Sequence, residues 1–144
     1  MSFPDHNTLA LVDRLKRWLF DAPAFAMSVL TKATGADRLD RFVDSPRGRE
    51  FFSRVGQECI SAVVRDTGLG EETGRMYFEQ SAQRIRSFPL TVEMRTDSEA
   101  GRRLLVSQSR DLLVEPAEYC LSQGRTPEVL GLALRTLIKL LNRP

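Results

Sequence analysis

The sequence predicts an all-α protein that folds as one compact bundle of six to eight helices. Apolar residues recur at the three- and four-residue spacing of helices along most of the chain. Serine, proline and glycine stand where such helices would begin and end. The composition, with 42% apolar and 28% charged residues in a chain of 144, is typical of a single globular domain. We therefore expect one helical domain over residues 1–144, with residues 1–7 frayed.

The first three helices are expected over residues 8–20, 21–34 and 37–43. The first has an apolar stripe at helical spacing, formed by Leu11, Val12, Leu15, Trp18 and Leu19. The second is rich in alanine and methionine, and it ends where Gly35 can supply a C-terminal cap.

Three acids around the third helix, Asp37, Asp40 and Asp44, have the spacing of one helix face. Carboxylate oxygens are the ligands that Mg²⁺ and Ca²⁺ prefer. However, Arg38 and Arg41 lie beside these acids, and the segment has no glycine-containing calcium loop. We expect a solvated face with local ion pairs.

The fourth helix has a strong start signal, because Ser45 can cap it and Pro46 suits its first turn. It is expected to run to Thr67-Gly68. Cys59 lies within its apolar stripe, which indicates a core thiol rather than an exposed nucleophile. A fifth helix is expected over residues 71–88, ending before a proline.

Residues 89–96 are the one segment with strand-like alternation, in which Leu90, Val92 and Met94 face one way. We expect a short extended segment here. It either forms a connection laid across the helices or pairs with its copy in a second subunit.

A sixth helix begins near Ser98, and Pro116 is expected to break or kink it. A short helix over residues 117–123 then ends at Gly124. Cys120 lies between Tyr119 and Leu121 and is interpreted as a packing residue.

The last helix begins at Thr126-Pro127-Glu128, with Thr126 as the expected N-cap. Its polar strip covers about a quarter of the circumference at 100° per residue. Since so wide an apolar surface needs more than one neighbour, the helix is either the central helix of the bundle or shared with another subunit. A third alternative is a helix on a membrane surface, although such helices usually carry more basic residues than Arg135, Lys139 and Arg143.

The scarce residues limit the chemistry, since the chain has one His and two Cys. A transition-metal site would have almost no nitrogen or sulfur ligands, and neither a nucleophile elbow nor a phosphate-binding loop occurs. We expect no enzymatic activity, no cofactor and no metal. Cys59 and Cys120 lack paired spacing and are interpreted as reduced thiols of a cytoplasmic protein. No export signal or membrane span is expected.

Residues 60–78 invite two comparisons with known families. Gly68-Leu69, Thr73 and Tyr77-Phe78 resemble the turn and recognition helix of the helix-turn-helix in TetR-type repressors, and this resemblance implies DNA binding. The pattern departs from that family at Gly74 and Arg75, where an apolar and an aromatic residue are usual.

The sequence Asp66-Thr67-Gly68-Leu69-Gly70 resembles the Asp-x-Gly-x-Gly box of the histidine-kinase type ATP-binding fold, and Leu130-Gly131-Leu132-Ala133-Leu134 is faintly similar to its later glycine-rich box. The resemblance implies a nucleotide site. That family also uses an Asn on an earlier helix to hold Mg²⁺, whereas this chain has only Asn7 and Asn142. A simple helix–helix connection at Gly68 and Gly70 accounts for both patterns.

The sequence therefore predicts a non-catalytic helical protein–protein interaction or regulatory domain. We expect it to bind a protein partner or to pair with a second copy of itself as a homodimer. The interface is predicted on the last helix and the extended segment, at Leu90, Val92, Leu130, Leu134, Leu137, Ile138 and Leu141. An alternative is a DNA-binding regulator that uses Arg75, Gln80, Gln83, Arg84 and Arg86. A third hypothesis is a small-molecule or lipid pocket lined by Trp18, Phe51, Phe52 and Phe78.

Overall fold

The computed structural model describes residues 6–89 and 92–143. Its elements in chain order are α1 (His6–Lys16), α2 (Ala22–Ala33), α3 (Leu39–Asp44), α4 (Pro46–Thr67), α5 (Glu71–Ser87), α6 (Glu99–Ser109), α7 (Glu115–Ser122) and α8 (Glu128–Leu141). A π-helical turn at Arg17–Asp21 joins α1 to α2, and a second at Arg110–Val114 joins α6 to α7. The described residues thus form six continuous helices, which confirms the predicted all-α class and helix number.

The two π-helical turns have the same construction, since each ends two residues before a proline, at Pro23 or Pro116. The N–H of Ala22 bonds to the carbonyl of Arg17, five residues back. The N–H of Glu115 bonds in the same way to the carbonyl of Arg110. Because the hydrogen bonding shifts by one residue just before the proline that lacks an N–H, the helix continues. Of the two outcomes predicted at Pro116, a break or a kink, the break therefore does not occur.

Several predicted helix ends are confirmed by their caps. The Ser45 hydroxyl accepts a hydrogen bond from the N–H of Gly48 at 3.1 Å, at the start of α4. Ser98 does the same for Gly101 at the start of α6, at 3.0 Å. Gly68 ends α4 with φ of +72°, a conformation that favours glycine.

The core lies around α4, which packs against α2, α3, α5, α7 and α8. Its largest fully buried side chains include Trp18, Met27 and Phe52. The rings of Phe52 and Phe78 meet edge to face with centroids 5.5 Å apart. A methyl group added at Gly56 would lie 2.4 Å from the Phe78 ring, so this glycine allows α5 to approach α4 closely.

The described part of the extended segment, residues 92–96, is non-helical and lies against its own chain. The N–H of Val92 donates to the carbonyl of Asp37 at 2.7 Å. Val92 and Met94 are half-buried against the core. The segment is thus a connection laid across the helices, the first of the two predicted arrangements, while Leu90 lies outside the described residues.

Candidate interaction surface

The last helix, α8, is a central helix of this chain. It packs against α2, α4 and the second π-helical turn, and it buries Val129, Leu130, Ala133, Leu137 and Leu140. Leu130 is 0% exposed and Leu137 is 1% exposed. Both were predicted as interface residues, but they belong to the core because three neighbours within the chain cover that face.

The other predicted interface residues form a narrow edge. Ile138 is 50% exposed, and Leu134 and Leu141, one turn before and after it, are half-buried. Val92 is half-buried against its own chain. In the described part of the chain, α8 therefore offers a stripe about one side chain wide, which is small for a stable interface.

A larger exposed apolar surface lies on the first halves of α1 and α5. Four large side chains there are each between 39% and 57% exposed, and they are Leu9, Val12, Met76 and Tyr77. We call these four residues the α1–α5 surface. Scattered single apolar residues are normal on a protein surface, but clustered ones mark interaction sites. The sequence analysis placed Val12 in the apolar stripe of the first helix, at helical spacing with Leu15 and Leu19.

A groove of about 520 Å³ separates α1 and the first π-helical turn from α5. It is lined by Val12, Leu15, Lys16, Leu19, Phe20, Tyr77, Gln80, Ser81 and Arg84. Leu15, Leu19 and Phe20 give it an apolar floor, while Lys16 and Arg84 contribute positive charge. Since Val12 and Tyr77 belong to both, the groove and the α1–α5 surface are continuous.

Arg14 explains why one side of α1 stays uncovered. Its guanidinium forms ion pairs with Asp66 and Glu115, both at 3.2 Å, and lies 4.8 Å above the Trp18 ring. The Tyr119 ring packs at a tilt against the Trp18 ring, with centroids 5.0 Å apart. These contacts hold α1 to α4 and α7 by one face. Leu9, Val12 and Lys16 lie on the opposite face by the 100° step per residue.

Tyr119 completes this cluster, and its hydroxyl hydrogen-bonds with the Asp66 carboxylate. This bond, together with burial and the charge of Asp66, raises the pKa of Tyr119. The Tyr119 hydroxyl therefore stays protonated at neutral pH and serves to position Asp66. We interpret the cluster as structural, since each of its charged groups already has a partner.

The residues of the DNA-binding alternative are all exposed on α5, but they do not form one basic face. Arg75 pairs with Glu71 at 3.3 Å, and the Arg86 guanidinium lies 5.2 Å from the Phe52 ring. Gln80 and Arg84 line the groove, and Gln83 is exposed. The acids of α5, Glu71, Glu72 and Glu79, are as numerous as its arginines, Arg75, Arg84 and Arg86. The helix thus has no net positive charge to attract phosphates.

The glycine-rich segment after α4 is a helix connection. The Thr67 hydroxyl accepts a hydrogen bond of 3.1 Å from the N–H of Leu69, and Gly68 adopts the left-handed conformation. Asp66, the acid of the box that resembles ATP-binding folds, is paired with Arg14. No strand forms within residues 6–89 and 92–143, whereas that fold is built on a sheet.

A polar pocket of about 340 Å³ lies where α4 meets the start of α8. The Glu58 carboxylate accepts the N–H of Val129 at 2.9 Å and that of Leu130 at 2.8 Å. Burial raises the pKa of Glu58, although these two hydrogen bonds oppose the shift. No side chain from Thr126 caps the helix. The prediction of Thr126 as N-cap was therefore wrong, because Glu58 satisfies the first turn from another helix.

The two cysteines are free and buried. The Cys120 thiol donates to the Glu58 carbonyl at 3.2 Å, and burial raises its pKa to about 11. Burial also raises the pKa of Cys59 well above its ordinary value. Both side chains are therefore protonated at neutral pH, as expected for packing residues.

The acids around α3 include a local ion pair. Asp40 receives two hydrogen bonds from Arg38, each at 2.9 Å. Among the described residues, no three His, Cys, Asp or Glu side chains come together as a possible metal site.

None of the described helices is long and apolar enough to span a bilayer.

The four aromatic residues of the hypothetical ligand pocket do not all line one pocket. Trp18, Phe52 and Phe78 are buried in the core, and Phe51 is half-buried beside Arg47. Phe52 and Phe78 border a pocket of about 140 Å³, which is smaller than usual ligand sites.

Comparison of the chain with protein-family models, curated proteins and solved structures finds no match to any of them.

Proposed function

We propose that this chain is a helical protein–protein interaction domain that acts as a homodimer, with the α1–α5 surface as its contact. The observation that carries the proposal is the exposure of four large apolar side chains, Leu9, Val12, Met76 and Tyr77, beside an apolar groove. Leaving so much apolar surface in water is unfavourable, at about 25 cal/mol per Å². A second protein that covers both the surface and the groove removes that cost.

Sedimentation velocity across the micromolar range tests this proposal, since one chain has a mass of 16.3 kDa. The wild type should sediment at twice that mass. Val12→Glu and Met76→Glu each place a charge within the contact and should shift the protein to the single-chain mass. Leu121→Glu is the matched control, because Leu121 is 61% exposed on α7 and outside the α1–α5 surface.

The control should dimerise like the wild type, and circular dichroism should show the same helix content in all four proteins. A wild type that keeps the mass of one chain at every concentration contradicts the homodimer. A dimer that both charged variants leave intact contradicts the α1–α5 surface as its contact.

A further inference from the structure

We infer that the two copies pair through antiparallel α1 helices, so that Leu9 of each copy fills the groove of the other. This inference rests on the proposed self-association and specifies its geometry. It identifies Lys16 and Asp13 as the residues that determine the orientation of the pairing.

The first argument is the spacing of residues along α1. Leu9, Val12 and Lys16 follow one another at intervals of three and four residues, which is the spacing of a coiled-coil seam, and Leu19 comes three residues later in the first π-helical turn. At 100° per residue the three positions on α1 fall within an arc of about 60°. This part of the seam lies on the face opposite Arg14, where Leu9 and Val12 are exposed.

The second argument is that this seam is a ridge at one end and a groove at the other. Leu9 is 55% and Val12 is 57% exposed, whereas Leu19 is 1% exposed and lies in the groove. Phe20 and Tyr77 form walls around that position. A surface that joins a ridge to a matching groove is self-complementary across a two-fold axis.

An axis at the level of Arg14 relates such a pair. It places Leu9 of one copy opposite Leu19 of the other, and Val12 opposite Lys16. Each Leu9 then enters the hole between Leu19, Phe20 and Tyr77 of the second copy.

Charge decides between the two possible orientations. In a parallel pair, seam positions meet their own copies, so Lys16 would face Lys16 and the like charges would repel. In the antiparallel pair, Lys16 reaches Val12 of the second copy and the neighbouring Asp13. Within the chain Lys16 lies 4.0 Å from Asp21, and Asp13 pairs with Arg17 at 2.9 Å. Both side chains can still reach a second copy, because that of Lys16 is 72% exposed and that of Asp13 is 63% exposed.

A charge-swap series tests the arrangement. Asp13→Lys and Lys16→Asp each turn the two symmetric pairs of the dimer into like-charge contacts, and each should weaken dimerisation about tenfold. The double variant Asp13→Lys/Lys16→Asp restores opposite charges and should recover most of the wild-type affinity. Within the chain Asp13 pairs with Arg17 at 2.9 Å and Lys16 lies 4.0 Å from Asp21. Arg17→Ala and Asp21→Ala are therefore the controls that remove these contacts without changing the seam.

The three outcomes are distinguishable in the same sedimentation assay. Weakening by each single variant with recovery in the double variant supports the antiparallel pairing. A wild-type dimer that is indifferent to the single variants, or a double variant as weak as they are, overturns this inference and leaves the proposed homodimer standing. A wild type that stays single at every concentration overturns both.

Discussion

The carboxylate of Glu58, in the middle of α4, accepts a hydrogen bond of 2.8 Å from the backbone N–H of Leu130 in the first turn of α8. The same carboxylate accepts the N–H of Val129 at 2.9 Å. The first N–H groups of a helix have no partner within the helix. A side chain 72 positions away from Leu130 satisfies them here, and this connects α4 to α8.

Loss of this contact should destabilise the fold. We expect Glu58→Ala to lower the free energy of unfolding by about 1–2 kcal/mol, because two buried N–H groups lose their acceptor. Glu50→Ala, at an exposed position of the same helix, is the matched control and should change it by less than about 0.5 kcal/mol. Urea denaturation measures both. Equal effects of the two substitutions would show that Glu58 is not a cap.

The same carboxylate should make stability depend on pH. Burial raises the pKa of Glu58 above its ordinary value of 4.5, so the folded protein holds this proton more tightly than the unfolded chain. The stabilising contribution is complete below the unfolded pKa and is lost as the pH rises through the folded pKa. Because Glu58→Gln cannot ionise, the wild type should lose stability relative to that variant as the pH rises above about 4.5. A stability difference that is independent of pH would contradict the raised pKa.

Gly56 and Gly131 should respond in opposite ways to the same substitution. A methyl group at Gly56 would lie 2.4 Å from the Phe78 ring, so Gly56→Ala should destabilise the protein by about 1–3 kcal/mol. At Gly131 the nearest atom would be the Arg135 guanidinium nitrogen at 3.5 Å, an ordinary contact. Since alanine favours helix by about 1 kcal/mol over glycine, Gly131→Ala should raise the melting temperature. Equal melting temperatures for the two variants would contradict the close approach of α5 to α4.

Arg14 should be the main anchor of α1. Arg14→Leu leaves Asp66 and Glu115 without their shared partner, and we expect a loss of about 1–3 kcal/mol and faster amide hydrogen exchange in α1. Arg17→Leu breaks only an exposed pair with Asp13 and should cost about 0.5 kcal/mol or less. Unchanged exchange in the Arg14 variant would show that α1 is held by its apolar contacts alone.

The buried thiols should resist modification in the folded protein. Cys59 is fully buried and Cys120 is 1% exposed, and their pKa values are raised, so few thiolates are available to react. We expect a disulfide reagent such as Ellman's reagent to label the native protein slowly at pH 8 and to label two thiols at once in guanidinium chloride. Rapid labelling of either cysteine in the native protein would contradict this burial.

Local signals predicted much of the fold. Helix starts at Ser45 and Ser98 and the stop at Gly68 depend on a few neighbouring residues, and the structure confirms each of them. Cys59 and Cys120 were placed in the packed interior from the apolar pattern around them, and both are buried. The candidate surface was harder to predict, because Leu9, Val12 and Leu15 share a helical pattern that does not reveal which of them a neighbour covers.

The all-α class, most helix boundaries and the scarcity of metal-binding and nucleophilic side chains thus follow from local spacing and composition. Packing between helices determines which apolar faces are covered. Packing within the chain buried Leu130 and Leu137, while the one-sided anchoring of α1 through Arg14 left Leu9 and Val12 exposed. It also replaced Thr126 by Glu58 as the cap of α8, because an acceptor can come from any helix that the fold brings near.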